Sequence, residues 1–184
     1  MDREEAIASL VREAMRGLDP WERDARVRAQ WYCGAESDAD LEEESRDRAI
    51  PRHLLEEIRR SEHPPTGASD PRYDRLVERS LRYDVQDATN EYLSGRLGFD
   101  VDGPEPELLA CLCCGYRTLG ERGAYLICAV CWWEDVFEGH PPEIPGPNRV
   151  TLEQGRRNFE RFGASDPREL DRIDPDARRR YSRG

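Results

Sequence analysis

The chain has 184 residues and a formal net charge of −11, room for one domain or a domain with a small module attached. No apolar run approaches the ~20 residues that cross a bilayer. Residues 1–17 are charged throughout and lack the apolar stretch of a secretory signal, so a cytoplasmic protein is expected rather than an exported disulfide scaffold. Leu, Ile, Val and Phe together number 34, just under the ~20% level at which high charge begins to suggest disorder. Four Trp and seven Tyr offset that shortage, because aromatic side chains bury large areas. Residues 1–110 carry 27 Asp or Glu against 16 Arg, whereas residues 111–184 carry 12 of each, and there is no lysine.

The first predicted element is an amphipathic helix over residues 2–15, with Ile7, Leu10, Val11 and Ala14 on one face and Gly17 ending it. Asp19-Pro20-Trp21-Glu22 starts a second: Asp19 as N-cap, Pro20 in the first turn, Glu22 as the capping-box acid. That helix runs to about Trp31, with Trp21, Ala25 and Arg28 roughly aligned. Cys33 follows as a partly buried helix-end thiol. Residues 35–48 are acidic and read as a solvated loop or as a lure for a basic partner.

Pro51 opens a short helix through Arg60, with Leu54, Leu55 and Ile58 inward. Residues 64–67 break the chain, and Asp70-Pro71 begins a helix carrying Tyr73, Leu76, Val77 and Leu81. One more helix is predicted over residues 83–98, then a Pro-containing acidic linker over 102–107. Thr151-Leu152-Glu153-Gln154 is a capping box for a helix with Leu152, Phe159 and Phe162, closed by Gly163. The Arg-rich end, residues 178–183, is expected to fray. His53, His63 and His140 are scattered, and each reads as a surface or satisfied histidine.

Five of the six cysteines fall in two clusters. Cys111, Cys114, Cys128 and Cys131 form C-x2-C, thirteen residues, C-x2-C, the spacing of a four-thiolate zinc ribbon. Two intervening residues let one tight turn aim both sulfurs at one ion, and Gly115 tolerates the positive φ with which the chain leaves the turn. Residues 108–110, 116–119 and 124–127 read as short strands, the last two a hairpin turning at 120–123 that would bring the second knuckle against the first. Cys113 is surplus: a buried thiol, a reactive thiol or a ligand in place of Cys114. Of the adjacent Trp132 and Trp133, one is expected under the knuckle and the other toward the helical part or a partner; both in a shared core is the alternative. Glu134 and Asp135 have no base or open metal position beside them and read as an ion pair or cap.

Three motifs resemble the bacterial cysteine-rich CPCC family over residues 108–164: Cys111-Leu112-Cys113-Cys114-Gly115-Tyr116-Arg117-Thr118-Leu119, Tyr125-Leu126-Ile127-Cys128-Ala129-Val130-Cys131-Trp132-Trp133-Glu134-Asp135, and Gly146-Pro147-Asn148-Arg149-Val150-Thr151-Leu152 with Asn158-Phe159-Glu160-Arg161-Phe162-Gly163-Ala164. The family usually has proline where Leu112 and Ala129 stand, which puts the rigidity of the knuckles in question. The resemblance implies a small zinc module without an established activity, sometimes accompanying secreted toxins.

These readings give an α+β chain: an acidic helical region over residues 1–104, a zinc-ribbon β-hairpin module with a C-terminal helix over 105–164, and a tail over 165–184. One structural Zn2+ is expected on Cys111, Cys114, Cys128 and Cys131, with no catalytic residues and no enzymatic activity. The expected function is inhibition of a basic, toxin-like protein through Glu36, Asp38, Asp40, Glu42, Glu43, Glu44 and Trp133. The alternative is a zinc ribbon attached to nucleic acid or to the transcription or translation machinery, against which the lack of a basic domain speaks. A thiol enzyme using Cys113 ranks below both, since no base is placed beside it.

Overall fold

A computed structural model describes residues 1–31, 50–61, 63–64, 70–136 and 146–184. Glu36, Asp38, Asp40, Glu42, Glu43 and Glu44 lie outside the described residues, as do Cys33 and His140. The chain is α+β and divides into two compact units, Met1–Gln86 and Asp87–Gly184. The sequence places the first boundary at 104/105, so residues 87–104 join the cysteine-rich part instead. Counted by unit, the acidity is shared: 21 Asp or Glu against 15 Arg in residues 1–86, and 18 against 13 in 87–184.

The first unit is helical. Helix α1 (Arg3–Gly17) starts where Asp2 accepts the Glu4 N–H at 3.0 Å and buries Ala6, Ile7, Leu10 and Val11. Helix α2 (Pro20–Trp31) starts with the full capping box: Asp19 accepts from the N–H groups of Trp21 and Glu22 at 2.8 Å, and Glu22 accepts from the Asp19 N–H at 3.2 Å. Its buried side chains are Val27 and Trp31, while Trp21 is 78% exposed, so the inward face differs from the Trp21–Ala25–Arg28 row. Helix α3 (Arg52–Arg60) buries Leu54, Leu55 and Ile58 as predicted. Asp70 caps a 3-10 turn (Pro71–Tyr73) that runs into α4 (Asp74–Val85), whose Leu76, Val77 and Leu81 are buried. Helices α1 and α2 both pack on α4. Arg26 ties α2 to Ser80 (3.1 Å) and Asp84 (2.8 Å) of α4, and Trp31 stands edge-on to Tyr73 with ring centroids 6.0 Å apart.

The helix predicted over 83–98 begins later, because residues 83–85 are the last turn of α4. Thr89 caps α5 (Asn90–Leu97) by accepting the Tyr92 N–H, and its own N–H donates to the Arg180 carbonyl at 2.8 Å. A threonine that satisfies an orphan donor starts a helix in preference to continuing one. The acidic linker is pinned as well, since Glu105 accepts the Asn90 N–H at 2.5 Å and the Gly103 carbonyl accepts from the Asn90 amide.

Strands β1 (Leu109–Ala110) and β2 (Arg117–Leu119) pair antiparallel, Leu109 opposite Leu119, around the first cysteine cluster. The predicted hairpin between 116–119 and 124–127 is not formed. Residues 125–127 pair instead with 133–135, so each cysteine cluster has its own short ladder. The tail does not fray: Arg117 N–H donates to the Ser182 carbonyl and Gly184 N–H to the Gly115 carbonyl, both at 2.9 Å, which sets Arg183 opposite Tyr116 in an antiparallel bridge next to β2. Ala177 of the last helix, α7 (Ala177–Arg180), is fully buried in the same core.

Helix α6 (Leu152–Phe162) begins at Thr151, which accepts the Gln154 N–H, and ends at Gly163 with φ +90°. It buries Phe159 and Gly155, while Phe162 is 41% exposed. Gly155 is where α6 comes close to the cysteine core. A Cβ there would lie 2.9 Å from Trp133 Cζ3 and 3.4 Å from Cys113 Sγ. Gly155→Ala is therefore expected to destabilise the second unit by about 1–3 kcal/mol despite alanine's better helix propensity, read as a lower urea midpoint.

Candidate metal centre

The two cysteine clusters fold by one backbone rule. In the first, Cys111 N–H donates to the Tyr116 carbonyl at 2.7 Å, and the Cys111 carbonyl accepts from Gly115 N–H at 2.9 Å. In the second, Cys128 N–H donates to the Trp133 carbonyl at 2.8 Å, and the Cys128 carbonyl accepts from Trp132 N–H at 2.9 Å. Both turns leave through a left-handed residue in the position after the second cysteine: Gly115 at φ +79° and Trp132 at φ +62°. Glycine adopts that conformation freely, but a tryptophan is strained in it. Trp132 is half-buried, with the Arg172 guanidinium 5.7 Å from its ring centroid, a contact that favours the strained arrangement. Both knuckles close with Leu112 and Ala129, neither of them proline, inside the turns.

The sulfurs of Cys111, Cys114, Cys128 and Cys131 all lie within 4.8 Å of one another, and all four residues are at most 2% exposed. Cys111 and Cys131 are 3.7 Å apart and Cys114 and Cys128 3.6 Å apart, sulfur to sulfur. A tetrahedron with metal–sulfur bonds near ~2.3 Å has edges of about 3.8 Å, so the group can hold one metal ion. Without one, four crowded sulfurs cannot all ionise. Hydrogen bonding with Cys111 and the other thiols, with burial added, pushes the Cys131 and Cys114 thiols far up. Cys128 is held low because Cys111, Cys114 and Cys131 bond to it, and the Thr118 hydroxyl donates to it at 3.1 Å. A divalent cation supplies the charge that would let all four be thiolates.

Cys113 is 7% exposed and stands outside this group, against Gly155 of α6, so the Cys114 register is the one that brings four sulfurs together. Trp133, placed on the partner side by the sequence, is 5% exposed and belongs to the core around the cysteines; its neighbour Trp132 is the more exposed of the two.

Three parts of the site escape the sequence reading. Arg122 bridges the knuckles: it donates to the Ala110 carbonyl of β1 and lies 3.0 Å from Asp135, whose other oxygen accepts Gly123 N–H at 2.8 Å. Asp135 is 1% exposed and forms an ion pair with Arg122, one of the two roles expected of it. Asn148 pairs its amide with the backbone of Glu134, accepting the N–H at 2.8 Å and donating to the carbonyl at 2.9 Å. Arg156 of α6 donates to the Leu112 carbonyl at the first knuckle's tip at 2.9 Å. Only the repeated offset from each second cysteine to Gly115 and Trp132 carried a signal for the shared turn.

This fold and site define a small four-cysteine module that could hold one metal ion. Residues 109–179 match the family model "Cysteine-rich CPCC". The match runs past residue 164 to α7, in keeping with the burial of Ala177. No curated protein matches the chain, and no solved structure does. Among the described residues, no helix is long and apolar enough to cross a membrane.

Proposed function

We propose that this chain is a non-catalytic zinc protein that binds a basic protein partner, as an immunity protein binds and inhibits a toxin. The four-thiolate group is the observation that supports the reading best. Four sulfurs fill the coordination shell of a tetrahedral ion and leave no position for water or substrate, so the ion's work is to fold the module. Zinc suits such a soft, closed set and adds no redox chemistry. The net charge of −11 favours rapid capture of a cationic partner, and toxins that act on nucleic acid are commonly cationic.

The arginines weigh against the nucleic-acid alternative. Arg168, Arg172, Arg179 and Arg180 each lie against a carboxylate, respectively Asp166, Glu169, Asp176 and Asp174. The Arg168 pairing holds the Asp166 carboxyl below the usual carboxylate range. Cations already paired have less to offer a phosphate backbone.

The test is to purify the tagged full chain and measure its metal content and its co-purifying species together. One zinc per chain and a stoichiometric basic protein, released by salt and inhibited while bound, is the expected result. Recovery of nucleic acid, RNA polymerase or ribosomes in place of that protein would overturn the partner assignment.

A further inference from the structure

The ladder that carries the second knuckle has two edges, and only one is closed. Ile127 and Glu134 face each other as an antiparallel pair. The bonds on either side, Cys128 N–H to the Trp133 carbonyl and Asp135 N–H to the Leu126 carbonyl, make it a pair whose own N–H and C=O groups point outward from both strands. At Glu134 both outward groups are taken by the Asn148 amide, which stands in for a neighbouring strand. Among the described residues, no group bonds the N–H or C=O of Ile127.

The side chains along this open edge are apolar and in water. Ala124 is exposed, Tyr125 is 54% exposed, Leu126 38% and Ile127 46%. In a chain whose residues are 36% charged, four consecutive exposed apolar residues run against the pattern of a solvated surface. Tyr125, at φ +59°, bends the strand at the start of this run. The carboxylates nearest the run along the chain and across the pair are Glu121, which is exposed, and Glu134, which is half-buried opposite Ile127, while Arg122 is already held by Asp135.

We infer that residues 124–127 are a docking edge for an extended segment of another protein, apolar along its length and flanked by Arg or Lys. Such a segment adds a strand to the ladder. Its main chain bonds the Ile127 N–H and C=O, its side chains cover Tyr125 and Ile127, and its cations meet Glu121 and Glu134. The inference goes beyond the function proposed above, since it names residues 124–127, which that reading does not use.

The experiment is residue-resolved amide exchange on the metal-loaded full chain. The probes are a capped Arg-Val-Thr-Val-Thr-Val-Arg peptide and its counterpart with glutamate at both ends. The arginine-ended peptide at millimolar concentration is expected to slow exchange at Ile127 by about tenfold, the glutamate-ended one by much less. Ile127→Glu is expected to remove the effect with metal content and thermal midpoint unchanged, because that side chain is half in solvent. The inference is overturned if neither peptide slows Ile127, if both slow it equally, or if the free protein already protects it in a concentration-dependent way, which would make the occupant a second copy. If a basic partner is captured equally well by Ile127→Glu, this edge fails and the proposed function stands. If the peptide binds and no basic partner is found, the reverse holds.

Discussion

Removing the metal, or replacing Cys128 with serine, is expected to unfold residues 87–184 while α1 to α4 keep their helicity. The buried core of the second unit is built on the cysteines themselves: Cys111, Cys113, Cys114, Cys128 and Cys131 sit with Leu119, Val130, Trp133, Val150, Phe159 and Ala177. Among the described residues the only named strands there are two and three residues long, too short to hold a sheet without another constraint. Structural zinc contributes on the order of 10 kcal/mol to domains of this kind, more than a small module's whole net stability. Loss of about one metal per chain, with the Trp133 near-ultraviolet signal collapsing and only part of the far-ultraviolet helix signal lost, checks this. Cys114→Ser is expected to behave like Cys128→Ser, whereas Cys113→Ser keeps the metal. Stoichiometric metal in Cys114→Ser would move the ligand assignment to Cys113. The same site gives a pH dependence. Protons compete with the metal for thiols that crowding and burial hold far up, so binding is expected to weaken as pH falls. Metal release measured from pH 7 downward reads this.

Asp135→Ala is the second large effect, expected to cost about 3 kcal/mol. Its carboxylate is almost wholly buried and serves Arg122 on one oxygen and Gly123 N–H on the other. Breaking a buried pair from one side leaves the other charge uncompensated, a loss of about 3–5 kcal/mol in closed sites. The lower end applies because the Arg122 side chain is 36% exposed and water recovers part of its charge. The geometric consequence is larger than the charge alone suggests. Arg122 is held by Asp135 after the second knuckle and by Ala110 before the first, so its release loosens the register between the two ligand pairs. A lower urea midpoint with unchanged slope, together with faster metal loss to a chelator, is the expected result. Unchanged metal release would show that the pair stabilises the fold without positioning the ligands.

Local rules that need few partners were legible in the sequence. The caps at Asp19, Asp70 and Thr151 form as their spacing predicts, because a side-chain oxygen reaches an N–H two or three residues on without help from the rest of the chain. The same locality made the four ligands legible, since C-x2-C is a turn. What failed was pairing at a distance. Thr89 reads as mid-helix until the Arg180 carbonyl is seen to accept its N–H. Residues 124–127 read as the partner of β2, yet the second knuckle's own closing bonds draw them to 133–135.

The sequence by itself determined which four cysteines could hold a metal, most of the helices and the resemblance that the family match over residues 109–179 bears out, because spacing along the chain sets which groups one turn can present. Tertiary structure alone decided that the arginine-rich tail bridges to Tyr116, that Trp133 is core, that Asn148 closes one edge of the second ladder and that, among the described residues, Ile127 is left open on the other. Each of these depends on which backbone N–H and C=O groups remain unpaired once the chain has folded, and that count exists only in three dimensions.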